Sequence, residues 1–148
     1  MKASYRQAIF LNSILNQLSI TSFPQEKRGK LFDIKRNLEP VISKYKEEMT
    51  ILLLLNGGIE KETQEGKIIS KPELPTRSNQ NDSEYKTLLQ SHFDKVRKID
   101  EEIQLLDASD ISYKIPAIFT PEEFEELQNK IGMIEFVTLQ DLLTIKDK

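Results

Sequence analysis

The chain of 148 residues has no cysteine, one histidine and five glycines. Without cysteine there is no disulfide framework, no thiolate nucleophile and no zinc–thiolate site, which fits a reducing compartment. Serine chemistry needs a base, and His92 stands alone with no nucleophile elbow in the chain. Glycine is too sparse for a phosphate-binding loop: Gly57-Gly58 lacks the Lys-Ser/Thr that would follow it and the strand-to-helix setting. Long apolar runs are missing as well. The longest, Ile51 to Leu55, is far short of the roughly 18 residues that span a bilayer, so no membrane segment is expected. Near the amino terminus Lys2 and Arg6 precede apolar residues spaced as one helix face, with no small-residue cleavage site, so a signal peptide is not expected.

What is present is charge: 30% of residues are Asp, Glu, Lys or Arg, with a formal net charge of −3. That balance gives no global attraction to nucleic acid or anionic lipid. The distribution is uneven. Residues 1–30 carry Lys2, Arg6, Lys27, Arg28 and Lys30 against Glu26, whereas residues 101–128 set eight acids against Lys114. Two solvated faces explain this most simply, although such polarity also suits alignment with a partner. The apolar fraction, 38%, lies below the soluble average of about 45–50%. A long helical hairpin, which is mostly surface, has that deficit. The length suits a single domain over 1–148.

Periodicity organises the chain. Ala8, Leu11, Leu15 and Leu18, with Ile14 beside them, mark one apolar face of a first helix from Tyr5 to Leu18. After a connection over Ser19 to Phe23, Pro24 suits the first turn of a second, long helix reaching Leu55. Its stripe is Leu31, Ile34, Leu38, Val41, Tyr45, Met49 and Leu52, heptad-like and fit for a two-helix seam. Gly29 and Pro40 interrupt that stripe, and a kink or break is expected just before residue 40. Gly57 is placed to end the helix in a left-handed conformation. Residues 59–82 form a polar loop in which Ile59 to Glu62 and Lys67 to Ser70 can pair as a small hairpin about Gln64, Glu65 and Gly66.

Asn81 and Glu84 form a reciprocal cap for a third helix, with Tyr85, Leu89, His92, Val96, Ile99, Ile103 and Leu106 along its stripe. Its end is open: Leu106, or Asp100 with "EIQLL" extended. Thr120, Pro121 and Glu123 begin a further helix with Phe124, Leu127 and Ile131 on its apolar face, ended by Gly132. The tail reads as a short strand, Ile134 to Val137, and a helical turn from Thr138. The fold expected is mainly α with minor β: a bent long helical hairpin (1–58 and the third helix) and a small C-terminal helical/β subdomain within 83–148.

Candidate chemistry is sparse. His92 sits on an apolar stripe beside Phe93, where a histidine packed at a core edge is the simple reading. Asp100, Glu101, Glu102, Asp107 and Asp110 could in principle ligate a hard cation, but no EF-hand pattern is present and a solvated acidic face suffices. Lys27, Arg28, Lys30, Lys35 and Arg36 surround Phe32, a pattern that phosphate binding would want. Interspersed acids favour an ordinary charged face, so a nucleic-acid partner is not expected. Neither catalytic group, cofactor nor metal is expected. There remain Ile51, Leu52, Leu53, Leu54 and Leu55. Five consecutive residues turn through about 400° of helix at 100° per residue, so no single face contains them. Part of this ring is expected in the core, and part as an interface to a protein partner or a second copy.

The order "FLNSILNQL", "KRNLEPVISKYKEEMTILLLL", "EKETQEGKIIS", "YKTLLQSHFDKVRKID", "EIQLLDASDI" and "TPEEFEELQNKI" resembles small uncharacterised proteins of tailed bacteriophages, families known only as domains of unknown function. The likeness spans nearly the full length as pattern and element order. It implies a product made in the bacterial host cytoplasm, cytoplasmic or carried in the virion, that takes part in virion assembly or acts on a host factor. It transfers no catalytic residue. A non-enzymatic interaction protein is therefore expected; the alternative is a phage-encoded inhibitor of a host nucleic-acid-processing enzyme, with the acidic 101–128 region imitating nucleic acid.

Overall fold

The computed structural model describes residues 3–17, 23, 25–125 and 132–144. Its elements, in order, are α1 (Tyr5–Gln17), α2 (Gln25–Leu55), β1 (Ile59–Thr63), β2 (Gly66–Ser70), α3 (Asp82–Ala108), α4 (Pro121–Glu125) and α5 (Met133–Leu143). The protein is mainly α, with one two-stranded antiparallel sheet among the described residues. It divides into two compact units, one of residues 1–45 and 108–148, the other of residues 46–107. Leu18, the connection over 19–22, Pro24, Leu127 and Ile131 lie outside the described residues.

In the first unit the expected helix faces are the buried ones. Ala8, Leu11, Ile14 and Leu15 of α1, and Leu31, Ile34, Leu38 and Val41 of α2, recur at three- and four-residue steps and are all buried. Ser4 caps α1: the Gln7 amide N–H donates to Ser4 Oγ (3.2 Å) and the Ser4 N–H donates to Gln7 Oε1 (3.0 Å). The break considered before Pro40 does not occur, because α2 continues through it. Pro40 is exposed while Leu38 and Val41 on either side are held in the core, and that burial offsets the one lost hydrogen bond.

Extended segments complete this unit. The Tyr5 N–H donates to the Ser109 carbonyl (3.0 Å) and the Ile111 N–H to that of Ala3 (2.8 Å); the Ile118 and Phe119 N–H groups both reach the Leu143 carbonyl (2.8 and 3.0 Å). Phe23, Phe119, Phe124 and Phe136 follow one another with ring centroids 6.1, 5.5 and 4.8 Å apart. Such tilted and edge-on pairs add to what their area alone contributes. Thr120 and Glu123 form the expected capping box at the start of α4 (3.2 and 3.3 Å).

The tail corrects the strand expected over Ile134 to Val137: Met133–Leu143 is one helix, with Gly132 as its N-cap. The β-branched Ile134, Val137 and Thr138 favoured a strand locally. Helical spacing prevails because it turns Leu139, Leu142 and Leu143 inward together, and all three are buried.

In the second unit α2 ends as a Schellman motif. The Gly58 N–H donates to the Leu53 carbonyl (2.7 Å), the Gly57 N–H approaches that of Leu54 (3.4 Å), and Gly57 takes φ +84°. A Cβ on Gly58 would lie 2.6 Å from the Leu53 carbonyl oxygen, so the close return of the chain needs glycine. The hairpin forms where expected, with Ile59 opposite Ser70 and Thr63 opposite Gly66, closed by Gln64 and Glu65.

Residues 71–81 lie along α3. Lys71 pairs with Asp100 (2.5 Å), the Tyr85 hydroxyl donates to the Pro75 carbonyl (3.2 Å), and the Arg77 guanidinium stands 5.6 Å from the Tyr85 ring centre. The Asn81/Glu84 cap forms at 2.8 and 3.4 Å. α3 runs to Ala108, so residues 103–106 are helix. Its predicted stripe from Tyr85 to Leu106 is buried at Ile99 and half-buried elsewhere.

Candidate interaction surface

The leucine run is placed by the last turns of α2, and the Schellman turn fixes where it stops. Leu53 is turned inward, 7% exposed, and Leu52 is half-buried; Ile51, Leu54 and Leu55 are 57%, 53% and 80% exposed. One rotation of the helix thus divides the ring into a core residue and an outward apolar face. Only Asn56 separates the exposed Leu54 and Leu55 from the glycine pair.

Asn56 pins this end. Its side-chain amide donates to the Leu52 carbonyl and to Glu102 Oε2, both at 2.8 Å, joining α2 to α3 within the unit. Beside that link lies a shallow groove lined by Glu48, Ile51, Leu52 and Leu55 of α2 and by Lys98 and Glu102 of α3. An apolar floor with charged borders suits a side chain or helix from another protein better than a polar small molecule.

The basic group has a different character from the one its sequence suggests. Lys27 is 8% exposed: its ammonium donates to the Ile118 carbonyl (2.6 Å), pairs with Glu123 Oε2 (3.1 Å) and stands 5.6 Å from the Phe119 ring centre. Arg28 Nε donates to the Phe23 carbonyl (3.0 Å), and Arg36 lies 3.6 Å from Asp33. Two of the five cations therefore serve the fold of the first unit, and a third already has an acidic neighbour. The ammonium of Lys27 in turn holds the Glu123 carboxyl below the ordinary glutamate value, helped by the Thr120 backbone N–H.

The acidic stretch is likewise partly engaged, since Glu102 accepts from Asn56 and Glu123 from Lys27, and its residues are divided between the two units. Among the described residues no three His, Cys, Asp or Glu side chains come together as metal ligands, and no helix is long and apolar enough to cross a membrane. His92 is half-buried, its ring 5.7 Å from that of Phe93.

Sequence reading passed over three features here. Lys27 looked like surface charge, and nothing local distinguishes a lysine that will meet a carbonyl 91 residues away. Ser4 and Gln7 did carry a legible capping signal. The exposed Ile68 of the hairpin was visible only as half of a strand pattern. No family model matches the chain, and neither a curated protein nor a solved structure does.

Proposed function

We propose that this chain is a non-enzymatic protein that acts by contact with another protein, made through the outward apolar face at the end of α2. The observation that carries the reading is the exposure of Ile51, Leu54 and Leu55 beside a groove with an apolar floor. Large apolar side chains grouped on a surface are costly to leave in water, and burying them against a partner recovers about 25 cal/mol per Å². The likeness in element order to tailed-phage proteins supplies the setting: a virion-assembly or structural component, made in the host cytoplasm.

The test is a paired substitution at exposed positions. Leu54→Ser with Leu55→Ser keeps the helical circular dichroism and weakens the complex recovered from the native source by about tenfold or more. Leu53→Ser is the contrasting control, because that side chain is buried and its loss acts on stability. A monodisperse protein at high concentration, with no partner in its native source, removes the proposal.

A further inference from the structure

We propose that the outer edge of β2 pairs with the same edge of a second copy, giving a two-fold, four-stranded antiparallel sheet in the order β1-β2-β2-β1. The hairpin has two edges, and hydrogen-bond alternation decides which residues each one offers. With a two-residue loop, the closing pair Thr63 and Gly66 exchanges both backbone hydrogen bonds, as do Lys61 with Ile68 and Ile59 with Ser70. The N–H and C=O groups of Lys67 and Ile69 therefore point away from β1, and among the described residues no hydrogen bond reaches them. On the other edge the outward groups belong to Glu60 and Glu62.

Charge distinguishes the two edges. If two β1 strands paired antiparallel through their outward groups about Lys61, Glu60 would face Glu62 of the second copy and Lys61 would face Lys61, like charge against like at all three charged residues. Like charges directly opposite are destabilising, and charged edges are a recognised guard against pairing. The β2 edge carries one charge, Lys67, and sets no like charges opposite one another. There Lys67 faces Ile69 of the second copy, Gly66 faces Ser70, and Ile68 faces Ile68 on the two-fold axis.

The pairing also places Ile68 well. Hydrogen bonds between Lys67 and Ile69 of opposite copies make Ile68 a non-hydrogen-bonded pair, the class in which side chains come closest. Ile68 is 49% exposed in the single chain, so the contact covers an apolar group that β1 leaves open. The salt bridge from Lys67 to Glu60 (3.4 Å) turns that lysine toward its own hairpin and away from the axis. A pairing this short buries less than a standard interface, so the dimer dissociates on dilution.

Because the chain has no cysteine, a single introduced one reports the axis directly. In the Ile68→Cys variant the paired Cα atoms stand about 4.5 Å apart, within disulfide range. Mild oxidation converts it to a covalent dimer, whereas Lys61→Cys on the guarded edge stays monomeric. In sedimentation equilibrium the wild type approaches twice the monomer mass as concentration rises, Ile68→Lys remains at the monomer mass, and an equimolar mixture of Ile68→Lys and Ile68→Glu restores the dimer. Leu54→Ser with Leu55→Ser leaves this dimer unchanged, so the inference stands or falls apart from the α2 surface. A wild type that stays monomeric at every concentration, or cross-linking at Lys61→Cys equal to that at Ile68→Cys, overturns it.

Discussion

Lys27 puts a full charge where the surroundings are the Phe119 ring, the Ile118 carbonyl and one carboxylate. An ammonium so enclosed is tolerable only while its partners are present, and the partners depend on it in turn. Lys27→Met keeps the length of the stem but leaves the Ile118 carbonyl without that donor; a loss of about 1–3 kcal/mol in denaturant unfolding is expected. Glu123 gives the same contact a pH dependence. Its carboxyl is held below the ordinary value of 4.5, first by the hydrogen bond from Lys27, so the ionised form is favoured in the fold. The stabilisation is therefore complete above the unfolded value and lost as pH falls through the lowered folded one. Thermal unfolding of wild type and Glu123→Gln should differ at neutral pH, with the wild type the more stable, and converge in acid. Parallel curves at all pH values would place the effect of Gln in packing alone.

At the scale of elements, the turn closing α2 is the most demanding. Gly57 sits at φ +84°, and an added Cβ on Gly58 meets the Leu53 backbone at 2.6 Å, an atom that cannot swing aside. Gly58→Ala should cost on the order of 1 kcal/mol or more and shift the amide resonances of Leu53 to Ile59, while Gly29→Ala, which meets nothing within 4 Å, should be neutral or stabilising. This turn was legible in the sequence because glycine at a helix end has one physical meaning, as were the Asn81 and Thr120 caps and the hairpin. The tail was not. Local β-branching argued for a strand at Ile134 to Val137, and only the burial of Leu139, Leu142 and Leu143 against the rest of the unit decides for helix. The candidate surface was half legible: the arc of about 400° says that some of the five residues must face outward, but only the rotation of α2 says that Leu53 is the one facing in.

Across the whole molecule the core is unevenly shared. Leu53 and Ile99 are the buried apolar residues of the unit over 46–107; every other one among the described residues belongs to the unit of 1–45 and 108–148. The second unit instead exposes Ile51, Leu54, Leu55, Ile59, Ile68, Leu74, Leu88, Phe93 and Leu105. Local opening free energy follows buried apolar contact, so hydrogen exchange in the dilute protein should be slowest in α1 and in residues 31–41 of α2, and faster in the hairpin and the flanking turns. Concentration then becomes the informative variable. If the exposed groups of the second unit exist to be covered by another copy or a partner, protection at Lys67 and Ile69 should rise with protein concentration, and protection near Leu54 should rise when the partner is added. The amides of residues 31–41, on the stretch where Leu31, Ile34, Leu38 and Val41 are already enclosed, should respond less to either. Uniform protection across both units in the dilute protein would mean that the exposed apolar groups cost the second unit nothing in stability, and the link drawn here between thin core and contact surface would fail.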